Sequence, residues 1–508
     1  MLPHPIFEKH LTFRSVIRLA LNLQVTGYKA HAVSENHPVP PRKCEKHQAY
    51  AQHPQTISSP TESFEKKPHS LAANIPSIMQ IIVVGAGIGG LSIALSLSLA
   101  GHKVTILESA SALAEIGAGV QLTPNSTKYF WKWGLGPAIL EHSVLPGSFN
   151  VRRGKDGELL GRVPFDGFEG RYGGPYIVIH RADIHRILHE HAIKAGAQLR
   201  LNSRVMQYDF EGGGVTLSDG EEVYADLVVA ADGINSFARK SFVGDEEGET
   251  EKTGWAAYRT MAPVDKIRAN PQTAHLVQEH SCNCWNGDST SFMTYMIKNS
   301  QMLNIVLSHP DDVDTSEWTT EQYQNEITRL FGDWNPLCSS LLSIASPEVQ
   351  NWPVYQVKSL SKWASDSGKF VLMGDAAHAM AFYLSMGVSM AVEDAEALAE
   401  CLSLRETSNC SLKRAVNVFE KVRKPRAEGV REASLHAGNM LHLPPGPRQE
   451  IRDQALRTQG VSSGVVTEAG DFYKTKTSYG IVDQGIRDWC YGYDVKKDVQ
   501  ETWDLVKQ

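Results

Sequence analysis

The chain holds 508 residues, 42% of them hydrophobic and 21% charged, which excludes a single small module and any wholly disordered or collagen-like chain. Fifty Lys and Arg against 57 Asp and Glu leave a net charge of −7, so no basic excess points to nucleic acid or to an anionic membrane. Seven thinly spread cysteines fit a reducing compartment, and the one close pair, Cys282 and Cys284, lacks the second Cys/His pair of a metal site, so no metal is expected.

Residues 1–78 read as an unstructured extension, because proline and histidine are concentrated there and no hydrophobic period is sustained. Within it, Leu11 to Val25 has the pattern of a short helix with Arg14 and Arg18 on one face, as in an organellar transit peptide. The competing reading is a dispensable tail with Met79 as the working start. No window approaches the ~20 apolar residues of a membrane span. A cytoplasmic protein is expected, with mitochondrial import if the leader is real.

Ile81 to Val84 is a buried-type strand running into Gly85-Ala86-Gly87-Ile88-Gly89-Gly90, and Leu91 to Ala100 follows as an apolar helix. Strand, G-x-G-x-x-G and helix form a dinucleotide site. Gly85 permits the tight turn, Gly87 lets backbone approach a pyrophosphate, and Gly90 allows the helix to pack on the strand. The next strand, Lys103 to Leu107, ends in Glu108, close to the spacing expected of the acid that bonds the ribose hydroxyls. This fingerprint alone does not separate FAD from NAD. Asp226 to Ala231 is another strand, ending in Asp232-Gly233 with Arg239 beyond, and Asp232 reads either as a ligand group or as a helix cap.

Trp255 to Thr260, Ala274 to Gln278, Ser291 to Ile297 and Met302 to Ser308 alternate as strands of an antiparallel sheet with one covered face. Phe370 to Met373 then delivers Gly374-Asp375 to a helix start, and Gly387 opens an apolar helical stretch through Val392. Helical periods continue from Glu393 and through Leu412 to His436. No second G-x-G-x-x-G follows a strand, so no separate nicotinamide domain is visible.

The order of GAGIGG (85–90), EIGAGVQLTPNS (115–126), HRADIH (180–185), ADLVVAADGINSFAR (225–239), GWAAYR (254–259), GDAAHAM (374–380) and GVSMAVEDAEALA (387–399) resembles the single-component FAD-dependent aromatic hydroxylases, near the salicylate and 6-hydroxynicotinate hydroxylases. The resemblance runs from about Gln80 to Asp494. It implies an α/β fold: a Rossmann-type FAD-binding domain (79–250 and 351–400) interleaved with an antiparallel-sheet substrate domain (251–350), followed by a helical region (401–508). It also implies that Glu108 holds the adenosine ribose, that Arg181 lies beside the flavin, that Val205 marks the strand near the adenine and that Asp375 bonds the ribityl chain. Gly119 and Asp232 join the cofactor set, and Gly387 and Val388 present N–H groups to the flavin pyrimidine. In this pattern the sheet roofs a pocket over the flavin. Tyr258 and Tyr295 are then candidates for proton handling, and Arg259, Trp285 and His309 for substrate contact, although each also reads as ordinary core, turn or interface.

Departures from the pattern are Phe382 where many relatives have Pro, and Met386 where they have Gln. Lys424-Pro425-Arg426 resembles the family's kinked basic helix near the nucleotide, or equally a solvated face, and Trp489 to Asp494 is expected to pack the tail back. The implied reaction uses NAD(P)H and O₂ to hydroxylate a phenolic ring through a flavin C4a-hydroperoxide, with or without decarboxylation. The setting is the tailoring of an aromatic secondary metabolite or polyketide, or the catabolism of a salicylate or hydroxybenzoate. An FAD oxidase or dehydrogenase without oxygen insertion, a non-enzymatic FAD-binding regulator, and an NAD-dependent Rossmann dehydrogenase, against which the Asp232 and Asp375 motifs argue, are the other readings; a monomer or homodimer is expected.

Overall fold

The computed structural model describes residues 78–113, 118–458 and 480–506, all within the unit Asn74–Gln508. The Leu11 to Val25 segment, residues 1–77 of the expected extension and residues 115–117 of the EIGAGVQLTPNS motif lie outside the described residues.

A five-stranded parallel sheet runs in the order Phe370–Leu372, Leu227–Ala230, Gln80–Val84, Lys103–Leu107, Gln198–Arg200. Its central strands are continuous apolar runs because helices cover both faces. The helix Ile88–Leu99 is buried over most of its circumference, and Gly387–Ser408 packs directly on it. Parallel pairing puts Val84 level with Ala230 and Leu107, and Ala230 level with Leu372. The turns carrying Gly85, Glu108, Asp232 and Asp375 therefore leave one edge of the sheet, where the strand order reverses and α/β folds place their ligands.

The second sheet has seven strands, in the order Gln350–Val357, Thr250–Pro263, Met302–Pro310, Ser291–Ile297, Ser281–Asn286, Ser148–Arg153, Leu159–Pro164. All pairs are antiparallel except Ser281–Asn286 with Ser148–Arg153. Its strands are thus not confined to 251–350. Three of the four expected runs here are strands, but Ala274 to Gln278 is not. A 3₁₀ turn, Ala274–Val277, stands there, anchored by Thr273 Oγ1 donating to Ile267 O at 2.8 Å. Its consecutive Leu276 and Val277 are both buried, which a strand with one covered face does not allow. The strand lies just beyond, at Ser281–Asn286, where Cys282 to Asn286 are buried on both faces and so show no alternation.

Register divides this sheet into two faces. Trp285, Phe292, Leu307 and Tyr258 form one cross-strand row, and Cys284, Met293, Val306 and Arg259 form the next. Adjacent rows point to opposite faces. The Tyr258 face is covered by the helix Thr320–Phe331, through Tyr323 on Tyr258 at 5.7 Å and Phe331 on Phe292 at 6.0 Å. The Arg259 face meets the segment 381–386 and the C-terminal end of the long helix Leu412–Leu441. After Trp489, Tyr491 is buried among Phe168, Tyr172 and Tyr176, which packs the tail against 168–176. Among the described residues no helix is long and apolar enough to cross a membrane.

Candidate active site

At the edge of the parallel sheet the glycines divide by role. Gly85 has φ +102°, and a Cβ there would lie 2.5 Å from Ala231 O; a Cβ on Gly90 would lie 2.0 Å from Gly85 O. Both are needed for the loop to fold back on itself. At Gly87 a Cβ would meet nothing within 4 Å. Gly87 is also the N-cap of Ile88–Leu99, whose start carries no side-chain cap and no acid. Open backbone at an uncapped helix start suits a pyrophosphate, so the loop fits a dinucleotide.

Glu108 is positioned by that loop. Its Oε2 accepts from Ala86 N–H at 2.9 Å and its Oε1 from Ala110 N–H at 2.8 Å. Ser203 N–H donates to Glu108 O at 2.8 Å, which brings Val205, the first residue of the strand Val205–Asp209, alongside. Asp232, by contrast, is occupied within its own turn. Its oxygens accept from Ser236 Oγ at 2.5 Å and Ala238 N–H at 3.1 Å, next to Ser236, which is itself the N-cap of the helix Phe237–Val243. Burial pushes its carboxyl up against the pull of these donors. Asp375 is exposed at the start of the short helix Asp375–His378. Arg239, fully buried, donates to Ile234 O at 2.6 Å, Gly248 O at 2.7 Å and Ala376 O at 3.0 Å, and so clips the Asp232 turn to the Asp375 helix.

Gly387–Ser408 repeats the pattern of the glycine-loop helix. It starts without a side-chain cap or an acid, a Cβ on Gly387 would meet nothing within 4 Å, and Val388 is half-buried. Two turns further on lies a buried ionic cluster that the sequence reading missed. Asp394 Oδ2 accepts from Gly374 N–H at 3.0 Å and pairs with His378 Nε2 at 2.6 Å, while Asp394 Oδ1 accepts from Arg423 Nε at 2.8 Å. Arg423 Nη1 lies 2.8 Å from Glu393 Oε2, an ionic contact without hydrogen-bond alignment, and Arg426 Nη2 lies 3.2 Å from Glu393 Oε1. Burial alone would raise Asp394, but His378 and Arg423 hold its carboxyl down at about 2. Arg426 also donates to Trp489 O and Cys490 O. Arg423 and Arg426 therefore face inward, while Pro425 is exposed and the half-buried Lys424 pairs with Glu428 at 2.9 Å.

On the second sheet the structure separates the candidates. Arg259 and Tyr295 share a face, since Tyr295 lies two positions along from Met293. Tyr258, Trp285 and His309 belong to the other face, and this corrects the expected pocket. Tyr258 and Arg259 are consecutive on one strand, so they cannot both face the flavin side. Tyr258 stacks on His309 with centroids 3.9 Å apart, and His309 Nε2 bonds Asn351 Oδ1 at 3.2 Å, all beneath Tyr323. Trp285 is fully buried against Phe292, with Arg152 over its ring. These three hold the sheet to its outer layer.

Arg259 lies between two rings, 5.8 Å from Trp352 and 5.7 Å from Phe382, and its Nε is buried with no hydrogen-bond partner among the described residues. Phe382, the departure from the family pattern, thus supplies a face for the cation. Burial lowers the Arg259 guanidinium's affinity for its proton; the Tyr295 hydroxyl opposes this and Arg181 reinforces it. Tyr295 donates to Gly119 O at 2.8 Å, and a Cβ on Gly119 would lie 2.4 Å from the Tyr295 ring, so this glycine is kept for the tyrosine. Burial pushes the Tyr295 phenol up to about 12. Arg181 opens the helix Arg181–Lys194, and its backbone N–H donates to Ala118 O next to Gly119.

Two further residues on this face were missed, Tyr383 and His442. Tyr383 OH lies 2.9 Å from Ser308 Oγ, and His442 Nε2 lies 2.9 Å from Ser291 Oγ, with the His442 ring 4.1 Å from that of Trp255. Burial, helped by Arg452 and His309, lowers His442 to about 3. A histidine kept neutral by the fold charges more readily once unfolded, so its share of stability is complete above pH 6.5 and is lost as pH falls from there toward 3. Urea unfolding at pH 5.5 should show about 1.4 kcal/mol less stability from this group than at pH 7.5, and His442→Gln should lack that portion of the slope.

Three comparisons bear on this site. A family model described as an FAD binding domain matches residues 78–434. The chain is 34% identical over 404 residues to the FAD-dependent monooxygenase atnJ of Arthrinium sp, covering 79% of this chain and 93% of that protein. It is 30% identical over 423 residues to the hispidin-3-hydroxylase of Neonothopanus nambi, covering 79% and 98%. A salicylate hydroxylase substrate complex shares the fold, with TM-score 0.64 and 22% identity over 84% of this chain and 98% of that one. The open glycine loop, with Glu108 bonded to it, and the matched span lead to one assignment: the chain belongs to the FAD-dependent monooxygenase family, with FAD as its cofactor.

Proposed function

We propose that this enzyme consumes NAD(P)H and O₂ to hydroxylate a phenolic aromatic ring, in the tailoring of an aromatic secondary metabolite. The observation that carries this reading is Arg259, a cation near two aromatic rings, with a buried donor that has no partner among the described residues, on the same sheet face as Tyr295. Such a group is costly to bury alone and is satisfied by an anion, here a phenolate or carboxylate on the substrate. The hispidin-3-hydroxylase and salicylate hydroxylase names support a phenolic substrate.

Bound FAD supplies the redox chemistry, taking reducing equivalents from NAD(P)H and activating O₂ for transfer of one oxygen atom. The chain's residues hold and screen it. The Gly87 backbone and the start of Ile88–Leu99 would take the pyrophosphate, Glu108 the ribose and Asp375 the ribityl hydroxyls, with Val205 near the adenine, Arg181 beside the flavin and the N–H groups of Gly387 and Val388 at the pyrimidine. Arg259 orients the substrate anion, and ionisation of the phenol makes the ring electron-rich at its ortho and para carbons. Tyr295 would carry the phenol proton only by releasing Gly119 O, so its resting part is to hold the strand Gly119–Leu122 against the sheet.

The test is NADPH and NADH oxidation by the FAD-loaded protein over a panel of phenolic acids and aromatic polyketides, with product mass as readout. A product gaining one oxygen, or exchanging carboxylate for oxygen, supports hydroxylation; oxidation with no oxygen in the product overturns it. In the same assay Arg259→Gln should raise KM for an anionic substrate about 10- to 100-fold with kcat much less affected, because a charge-assisted bond worth about 1.5–3 kcal/mol is lost from substrate and transition state alike.

A further inference from the structure

The peptide joining Ala86 to Gly87 is not aimed by side chains of its own. Gly87 sits at φ −71°, and turning this peptide over would carry it to a positive φ, which glycine adopts about as readily and other residues rarely do. A peptide unit is planar and trans, so its C=O and its N–H point in opposite directions. Whatever holds Ala86 O therefore also aims Gly87 N–H.

The group that holds it is His185, in the second turn of the helix Arg181–Lys194 and only 6% exposed. His185 Nε2 lies 2.7 Å from Ala86 O, and because a carbonyl only accepts, Nε2 carries the hydrogen and donates. The two preceding N–H groups are also committed, Gly85 N–H to Leu107 O at 2.8 Å and Ala86 N–H to Glu108 Oε2 at 2.9 Å. The loop is thus tied to the sheet, to Glu108 and to His185 as far as the Ala86 carbonyl. Gly87 N–H is turned away from His185, at the head of a helix that starts without a side-chain cap.

We propose that His185 is a positioning residue for FAD: by donating to Ala86 O it keeps the Ala86–Gly87 peptide with its N–H toward the cofactor's pyrophosphate. This rests on the reading of Gly87 as a pyrophosphate contact and supplies the device that sets it. With an apolar residue at 185 the Ala86 carbonyl loses its donor, and in part of the molecules the peptide turns its oxygen toward the pyrophosphate instead. Apparent FAD affinity then falls with the fraction of molecules that remain competent.

The experiment compares wild type, His185→Leu and His185→Gln. Glutamine keeps an N–H donor at about the reach of imidazole Nε2, whereas leucine keeps only bulk. FAD affinity is read by fluorescence titration of each apoprotein, folding by urea unfolding in parallel, and the cofactor's surroundings by the ³¹P NMR spectrum of the pyrophosphate at saturating FAD. His185→Leu should bind FAD about tenfold more weakly or worse, with displaced pyrophosphate resonances, and His185→Gln should stay within about threefold of wild type with wild-type resonances. If the leucine variant does not fold, His185→Asn, whose amide stops one carbon short, takes its place with the same expectation. Wild-type affinity in the variant lacking the donor, weaker binding with unchanged ³¹P resonances, or a glutamine variant as impaired as the leucine one would each overturn the positioning role. Bound FAD in the wild type with the pyrophosphate resonances of free FAD would overturn the pyrophosphate site on this loop, a failure visible before any variant is made.

Discussion

Arg423→Met should destabilise the folded protein by about 3–5 kcal/mol, the largest effect expected of any single substitution here. Arg423 is fully buried and neutralises both Glu393 and Asp394, which are themselves fully buried. Methionine fills similar space but leaves the two carboxylates with Arg426 and His378 as their remaining ionic partners. Removing one member of a buried ionic set costs far more than the set contributes as a whole, because the remaining charges stay desolvated. The loss should reach the cofactor too, since Asp394 holds Gly374 N–H and His378 and thereby the turn that carries Asp375. Denaturant midpoint and FAD affinity should fall together. Arg423→Lys should recover only part of either, because an ammonium cannot serve two carboxylates with a planar fork. A variant with wild-type midpoint would mean that the cluster contributes nothing to the fold.

Gly87→Val should separate cofactor binding from folding. In the protein a Cβ at this position meets nothing, so the apoprotein should unfold within about 1 kcal/mol of the wild type. The branched side chain would instead stand where the pyrophosphate approaches the backbone, and FAD affinity should fall by 100-fold or more. Gly90→Val is the contrasting variant: its Cβ would strike Gly85 O at 2.0 Å, so stability and FAD binding should fail together. Fluorescence titration of FAD into each apoprotein, with unfolding measured in parallel, checks both. Normal FAD binding by Gly87→Val would remove Gly87 from the site.

The nucleotide edge was legible in the sequence because its signals are local: an apolar run, three glycines at fixed spacing and an acid at the end of the next strand. Parallel pairing then brings the Asp232 and Asp375 turns to the same edge. The substrate sheet was legible as strands but not as faces. Tyr258 and Arg259 are neighbours in the chain, and alternation alone forbids them a common pocket, yet nothing local says which of the two points inward. That depends on the helix Thr320–Phe331, which covers the Tyr258 face. Ser281–Asn286 was passed over because a strand buried on both sides does not alternate. The cluster of Asp394, Glu393, Arg423, Arg426 and His378 was invisible for a different reason. Its members sit on separate helices that read as amphipathic and charged, and only tertiary packing turns those charges toward each other.

On the proposed function, the enzyme inserts an oxygen atom from O₂ into a phenolic substrate. This insertion is tested most directly by running the FAD-loaded protein with NAD(P)H, the phenol that best stimulates its oxidation, and ¹⁸O₂, and then weighing the product. One heavy oxygen is expected in the product, and none in a parallel reaction in labelled water under ordinary O₂. A product without heavy oxygen, or NAD(P)H consumed with all the label recovered as hydrogen peroxide, would contradict it.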